Sequence, residues 1–401
     1  MLSSVQKSLI NEVALKEGFK NHEFSVEEIT KIGGNYLGTI HRVTVKEKDV
    51  HNHKKFILKV ALKNAEVRAQ LPFQDIYQRE LFMYQTVLPL FETFQEKIGL
   101  GMPFKAHPKC FQGSVEEGQE CLLMEDLAET GYKTLDDRTK PLDQNHLNLV
   151  LHEVVKLHSV SLAMQLLEPQ VFRSLQENLQ NYWEKNEHFR SSLEANLEKR
   201  VDITLRLLKT DAKAVEALER CKKEIKTIVQ EAAVQEQPLV VIHGDIWCNN
   251  LMFKYEDSAL PTKTCLLDWQ ISQVQSPVVD LFYLLYLSAS KDVLNNPQQF
   301  LDTYYLMLKD NLQSVNCDIR SILPRDLFQK HCKKFAKLSF LILLGNLLKL
   351  LKDENKSTNF DNDVEGGKGI WKHFFLDEDV SDAYLHRVKD IVYMMLDNKY
   401  I

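Results

Sequence analysis

The stretch VVIHGDIWCNNLMF, residues 240–253, sets an acid and two amides between two apolar runs. Val240, Val241 and Ile242 read as a short buried strand, and Leu251, Met252 and Phe253 open another. Between them stand His243, Gly244, Asp245, Asn249 and Asn250. A carboxylate at a strand end is placed to accept a proton from a hydroxyl nucleophile. An amide five positions later offers an oxygen to a hard cation such as Mg²⁺. The same cation needs a second acid nearby. Asp268 supplies it at the end of the next apolar run, CLLDWQ. The segment between, KYEDSALPTK, has the proline and polar residues of a hairpin turn. Two strand ends joined by a hairpin would gather Asp245, Asn250 and Asp268 into one patch suited to a metal and phosphates.

Working outward, the chain turns from strand-rich to helical near residue 130. KIGGNYLGTIHRVTV and KKFILKVAL carry β-branched and apolar runs, separated by the polar turn KEKDVHNHK. FQDIYQRELFMYQTVLPLF has helical spacing, with Phe73, Ile76, Leu81, Tyr84 and Leu88 near one stripe. ECLLMEDLA reads as a buried strand entering a connector. From Gln144 onward the pattern is helical, broken once by the opening stretch and its sequel. The residues 194–233 read as one or more long helices rich in Glu and Lys.

Bulk properties narrow the function. A chain of 401 residues exceeds one small core, so two lobes are expected. A net charge of −6 without a basic run argues against nucleic acid or an anionic membrane as partner. Nothing marks an obligate protein partner. Seven cysteines without a CxxC suggest neither a disulfide framework nor a zinc site, and fit a reducing, cytoplasmic setting. The N-terminus carries charges within its first apolar stretch and lacks a cleavable signal pattern. The most apolar segment, FAKLSFLILLGNLLKLL, is interrupted by Lys337, Ser339, Asn346 and Lys349, and reads as a buried helix, not a membrane span.

The order H-x-D-x-x-x-x-N, followed by an apolar strand ending in Asp, is that of the kinase catalytic loop and its metal-binding acid. Gly244 stands where protein kinases usually have Arg, and Asp268-Trp269-Gln270 stands where they have DFG. Both departures point away from protein substrates. The sequence resembles the ecdysteroid kinase-like family of small-molecule kinases, related to choline kinase and the aminoglycoside phosphotransferases.

The resemblance implies a protein kinase-like two-lobe α+β fold. Its small N-lobe, residues 1–127, would carry an antiparallel sheet plus a helix and bind ATP, with a hinge near 124–128. Its larger, mainly helical C-lobe, residues 128–401, would hold the catalytic loop, the metal-binding acid and the acceptor pocket. Lys59 in FILKVAL matches the strand lysine that reaches nucleotide phosphates, and Glu80 in YQRELFMYQ matches the helix glutamate that fixes it; Glu66 is the other candidate for that pairing. Gly33, Gly34 and Gly38 in GGNYLG match the turn over the phosphates. Backbone groups of Glu125 and Leu127 in LLMEDL would meet adenine. Asp245 would be the catalytic base, with Asn250 and Asp268 holding Mg²⁺. Asp280 in SPVVDLFYLL would brace the catalytic loop, and His243 is also read as structural support. His158 reads as a packed helix histidine, and Trp247 and Trp269 as core packing or pocket walls.

The acceptor implied is an ecdysteroid or another hydroxylated apolar compound. A choline-like acceptor would need an aromatic and acidic cage. Residues 181–189 and 369–380 have the composition for one. A catalytically silent ligand-binding protein of the same fold is the remaining alternative.

Overall fold

The computed structural model describes residues 2–29, 37–48, 51–69, 71–180, 187–234, 236–256, 259–351 and 381–401, the side chains of 187–189 excepted. Its first part is an antiparallel sheet of β1 (His22–Glu28), β2 (Gly38–Glu47), β3 (His53–Ala61), β4 (Cys110–Ser114) and β5 (Cys121–Glu125), in the order β1-β2-β3-β5-β4. Alternation along β3 divides the labour of the sheet. Phe56, Leu58 and Val60 face helix α1 (Ser4–Lys16), which presents Leu9, Ile10, Val13 and Ala14. Those four positions share one helical face. A capping box fixes where α1 begins: Ser3 Oγ accepts from Gln6 N, and Gln6 Oε1 accepts from Ser3 N. Ile57 and Lys59 turn the other way, into a cleft.

After β3 come α2 (Ala65–Arg68), α3 (Phe73–Phe82), a π-helical turn at Met83–Val87, and α4 (Leu88–Ile98). The wide turn has a cause in Pro89, which lacks an N–H and whose ring crowds the carbonyl four residues back. The buried stripe of α3 is Phe73, Ile76, Tyr77 and Glu80. Leu81, expected on it, is only half-buried and lies beside Gly113 of β4. Phe73, Ile76 and Tyr77 join the core, and Glu80 reaches the cleft.

Beyond Glu125 a 3₁₀ turn, Leu127–Thr130, is capped by Asp126, which accepts from Ala128 N at 3.2 Å. Two ion pairs tie the sheet to this turn: Arg42 Nε to Asp126 Oδ2 at 2.6 Å and Lys55 Nζ to Glu129 Oε1 at 2.8 Å. The rest is mainly helical, starting with α5 (Gln144–Leu167) and α6 (Pro169–Asn178). The Glu- and Lys-rich region forms two helices, Glu187–Leu207 and Ala212–Ala233, the second capped by Asp211. The apolar segment expected to be a buried helix lies within Arg325–Leu350, with Phe335, Leu341, Leu344 and Leu347 in the core. Among the described residues no helix is long and apolar enough to cross a membrane. The whole is the α+β, two-lobe kinase-like arrangement that the motifs imply.

Inside the helical part lie two small sheets. β7 (Val240–Ile242) pairs with β10 (Gln273–Gln275). β6 (Tyr132–Lys133) pairs with β8 (Leu251–Tyr255), which forms a hairpin with β9 (Pro261–Leu266). The hairpin is the one read from the sequence, and it sets the spacing of the candidate site.

Candidate active site

Lys59 lies on the cleft side of β3, nearly sealed from solvent. Its Nζ donates to Glu80 Oε2 and to Asp268 Oδ1, each at 2.7 Å, with Gln270 Oε1 at 3.4 Å. The choice between Glu80 and Glu66 is settled by position: Glu80 faces inward from α3, whereas Glu66 is exposed on α2. Burial alone would lower the Lys59 pKa; Asp268 and Glu80 outweigh it and hold it well above its ordinary value. Two carboxylates sharing one ammonium leave an excess negative charge. Burial accordingly raises Glu80 to about 7 against the pull of Lys59.

The loop between β7 and β8 is built around its backbone. Asp280, at the start of the helix Val278–Ser288, accepts from His243 N through Oδ2 and Gly244 N through Oδ1, both at 2.8 Å. Gly244 has a φ of +85°, and a Cβ there would meet Ile271 O at 2.9 Å. That is why the arginine of protein kinases has no room here: the position demands a left-handed residue with no side chain.

His243 has a defined role. Nδ1 accepts from Asp245 N at 3.3 Å and Nε2 donates to Leu267 O at 2.9 Å. The ring is therefore neutral, and burial lowers its pKa despite Asp280 and Asp268. It links the acid of the loop to the strand end that carries Asp268. His158 extends the brace, with Nε2 3.3 Å from Asp280 Oδ2 and Nδ1 2.8 Å from Tyr304 Oη.

Asn250 Nδ2 donates to Asp245 O at 3.0 Å and to Asp245 Oδ2 at 2.9 Å. Its amino group is thus committed to the acid, and its remaining polar side-chain atom is the oxygen Oδ1. Asn250 O accepts from Leu267 N at 2.9 Å, which draws the end of β9 against the loop. Asp268, the next residue, has a φ of +68°, a conformation unusual for a residue other than glycine. This bend belongs to the residue that reaches Lys59. Asp245 is pushed up to about 7, first by burial and then by Asp268; Lys349, Asn250 and Trp247 pull the other way. Lys349, on the helix Arg325–Leu350, is lowered to about 7 by burial and by Arg200.

Lys59, Glu80, Asn249, Asn250 and Asp268 line a cleft of about 600 Å³ together with Met124, Glu125, Asp126 and Leu127. Glu125 N donates to Lys109 O at 2.9 Å, which fixes the end of β5 at the cleft. Leu127 opens the 3₁₀ turn, so its N–H has no partner within that turn. Among the described residues no three of His, Cys, Asp or Glu gather around a metal position. An amide oxygen and a carboxylate in a cleft are the open donor set that Mg²⁺ takes when phosphates complete its shell.

Gly38 begins β2 against β3, where a Cβ would meet Val60 O at 2.5 Å and Tyr77 Oη at 2.6 Å. Its lack of a side chain has a packing reason, and it is not among the residues lining the cleft. Gly33 and Gly34 lie outside the described residues, as do the side chains of 181–189 and 369–380 considered for a choline cage. Gln270 was not read from the sequence, although it stands two residues past Asp268 and its Nε2 donates to Asp268 Oδ2 at 3.3 Å. Arg79 was also missed; it joins α3 to this loop through Ser272 O at 2.7 Å.

A sheet lysine paired with a helix glutamate, facing a loop that carries an acid and an amide, defines the class: a kinase-like fold of the small-molecule branch. The chain belongs to the ecdysteroid kinase-like family, whose model matches residues 32–317. Comparison with curated proteins finds no match.

Proposed function

We propose that this chain moves the γ-phosphoryl group of ATP to a hydroxyl of a small molecule, most fittingly an ecdysteroid or another hydroxylated apolar compound. The observation that carries the reading is Lys59 held 2.7 Å from both Glu80 and Asp268 in a cleft that Asn250 also lines. In this reading residues 1–127 are the nucleotide-binding lobe, hinged at 124–128, and residues 128–401 are the catalytic and acceptor lobe. Adenine would take the Glu125 carbonyl and the Leu127 N–H. Lys59, fixed by Glu80, would hold the α- and β-phosphates. Asn250 Oδ1 and the Asp268 carboxylate would hold Mg²⁺, which supplies charge neutralisation on the phosphates.

Asp245 would orient the acceptor hydroxyl. As the acceptor oxygen bonds to the γ-phosphorus, the bond from that phosphorus to the β,γ-bridging oxygen breaks, and the hydroxyl proton passes to Asp245. An acid raised to about 7 is basic enough for this near neutral pH. Seven free cysteines support a reducing, cytoplasmic setting.

The test is incubation with ATP, Mg²⁺ and a mixed metabolite extract, with mass detection of a gain of one phosphoryl group. Asp245→Asn is the control. A new phosphorylated product from the wild type alone is expected. Ligand binding with no product and no ADP release above the variant would replace this reading with that of a silent binding protein.

A further inference from the structure

Gln270 stands two residues past Asp268 and is 7% exposed. Burying a primary amide costs free energy unless its polar ends are bonded. Here both ends are spent on charged groups. Oε1 accepts from Lys59 Nζ at 3.4 Å, and Nε2 donates to Asp268 Oδ2 at 3.3 Å. Charge dictates which way the amide faces, since turning it over would set its NH₂ against the ammonium and its oxygen against the carboxylate. The backbone between is pinned as well: Trp269 Nε1 donates to Leu266 O at 3.3 Å, and Ser272 N donates to Trp269 O at 3.1 Å.

The two oxygens of Asp268 are thus divided. Oδ1 takes the Lys59 ammonium at 2.7 Å, and Oδ2 takes the Gln270 amide. The Asp268 side chain lines the cleft and keeps 20% of its surface exposed, so a ligand can reach it from that side. Phosphates entering the cleft are anions, and they compete with Asp268 for the lysine. Gln270 is not among the residues lining the cleft, so its hold on Oδ2 is sheltered from that competition.

We propose that Gln270 is a positioning residue for Asp268: its amide holds Oδ2 and keeps the carboxylate turned to the cleft while Lys59 passes to the nucleotide phosphates, which makes Oδ1 available to the divalent ion. This rests on Asp268 serving as a metal-holding acid. A neutral amide suits the position better than a second acid. A carboxylate at 270 would grip Lys59 more firmly and repel Oδ2.

The experiment uses the full chain and a non-hydrolysable ATP analogue, whose affinity is measured by calorimetry with and without Mg²⁺. The ratio of the two affinities is the ion's contribution. Gln270→Met keeps the length of the side chain and removes both hydrogen bonds. It should cut the strengthening by Mg²⁺ about 10-fold and leave the metal-free affinity within about two-fold. In the Asp268→Asn background the Mg²⁺ effect should no longer depend on residue 270. Thermal melting of each variant comes first. Should Gln270→Met lose its transition, Gln270→Asn, which stays polar but is one methylene short, carries the same expectation. An unchanged Mg²⁺ effect in the folded variant overturns the proposal. Equal losses with and without Mg²⁺ overturn it too, because they mark a general disturbance of the cleft. A dependence on residue 270 that persists in Asp268→Asn shows that the amide does not act through the acid. If the wild type forms no phosphorylated product yet shows the Gln270-dependent Mg²⁺ effect, the phosphotransferase reading falls and the positioning role stands.

Discussion

Gly244 and Asp245 show how much the candidate site asks of single residues. Gly244→Ala forces a Cβ onto the Ile271 carbonyl in a left-handed backbone, so it should destabilise the protein by about 1–3 kcal/mol. Thermal melting checks this, and kcat should fall as the neighbouring acid is displaced. Asp245→Asn tests a second cost. A carboxyl whose folded pKa is raised to about 7 holds its proton more tightly folded than unfolded, where the value is near 4. Its contribution to stability is therefore lost as pH rises from about 4 through about 7. Relative to the Asn variant, the wild type should melt progressively lower as the buffer goes from pH 5 to pH 8. Activity should move oppositely. Only the ionised form accepts a proton, so kcat/KM of the wild type should climb with pH to a midpoint near 7. A pH-independent kcat/KM across this range would remove Asp245 as the base.

Among elements, the pairing of β3 with α3 is the contact that the nucleotide chemistry depends on. Glu80→Gln should raise KM for ATP and lower kcat, because it withdraws a 2.7 Å anionic partner from Lys59. Glu66→Gln, on the exposed α2, should leave both unchanged, and steady-state kinetics on the two variants separates the roles. Lys59→Met should cost roughly 100-fold in turnover. Elements with strong local patterns were legible in the sequence: β2, β3, β5, the β8–β9 hairpin and the long helices. β1 and β4 were not. β1 is largely exposed and β4 half-buried, so neither shows the apolar alternation of a buried strand. The residues Asp245, Asn250 and Asp268 were legible because they sit on one continuous loop and hairpin. Gln270, Arg79 and the His158–Asp280 contact were not, because their partners come from elements far away in sequence.

Across the whole molecule, the sheet lies between two apolar clusters, one under α1 and a larger one that continues into the helical part. The smaller cluster depends on Leu9, Ile10 and Val13 from a segment read at first only for its lack of a signal pattern. Removing residues 1–16 would bare Phe56, Leu58 and Val45. At about 1.5–3 kcal/mol for each buried apolar side chain, the loss of those three alone is comparable to the whole stability of many proteins. The truncated chain should be poorly soluble, and its melting transition should be lost or fall by more than 10 °C, roughly, on that scale.

The Lys59 ammonium, clasped by Glu80 and Asp268, also determines how this cleft meets reactive compounds. An amine must shed its proton before it can attack an electrophile, and here two anions resist that loss. Acylating probes that mark cleft lysines should label this one slowly at neutral pH, and much faster once Asp268 is replaced by alanine.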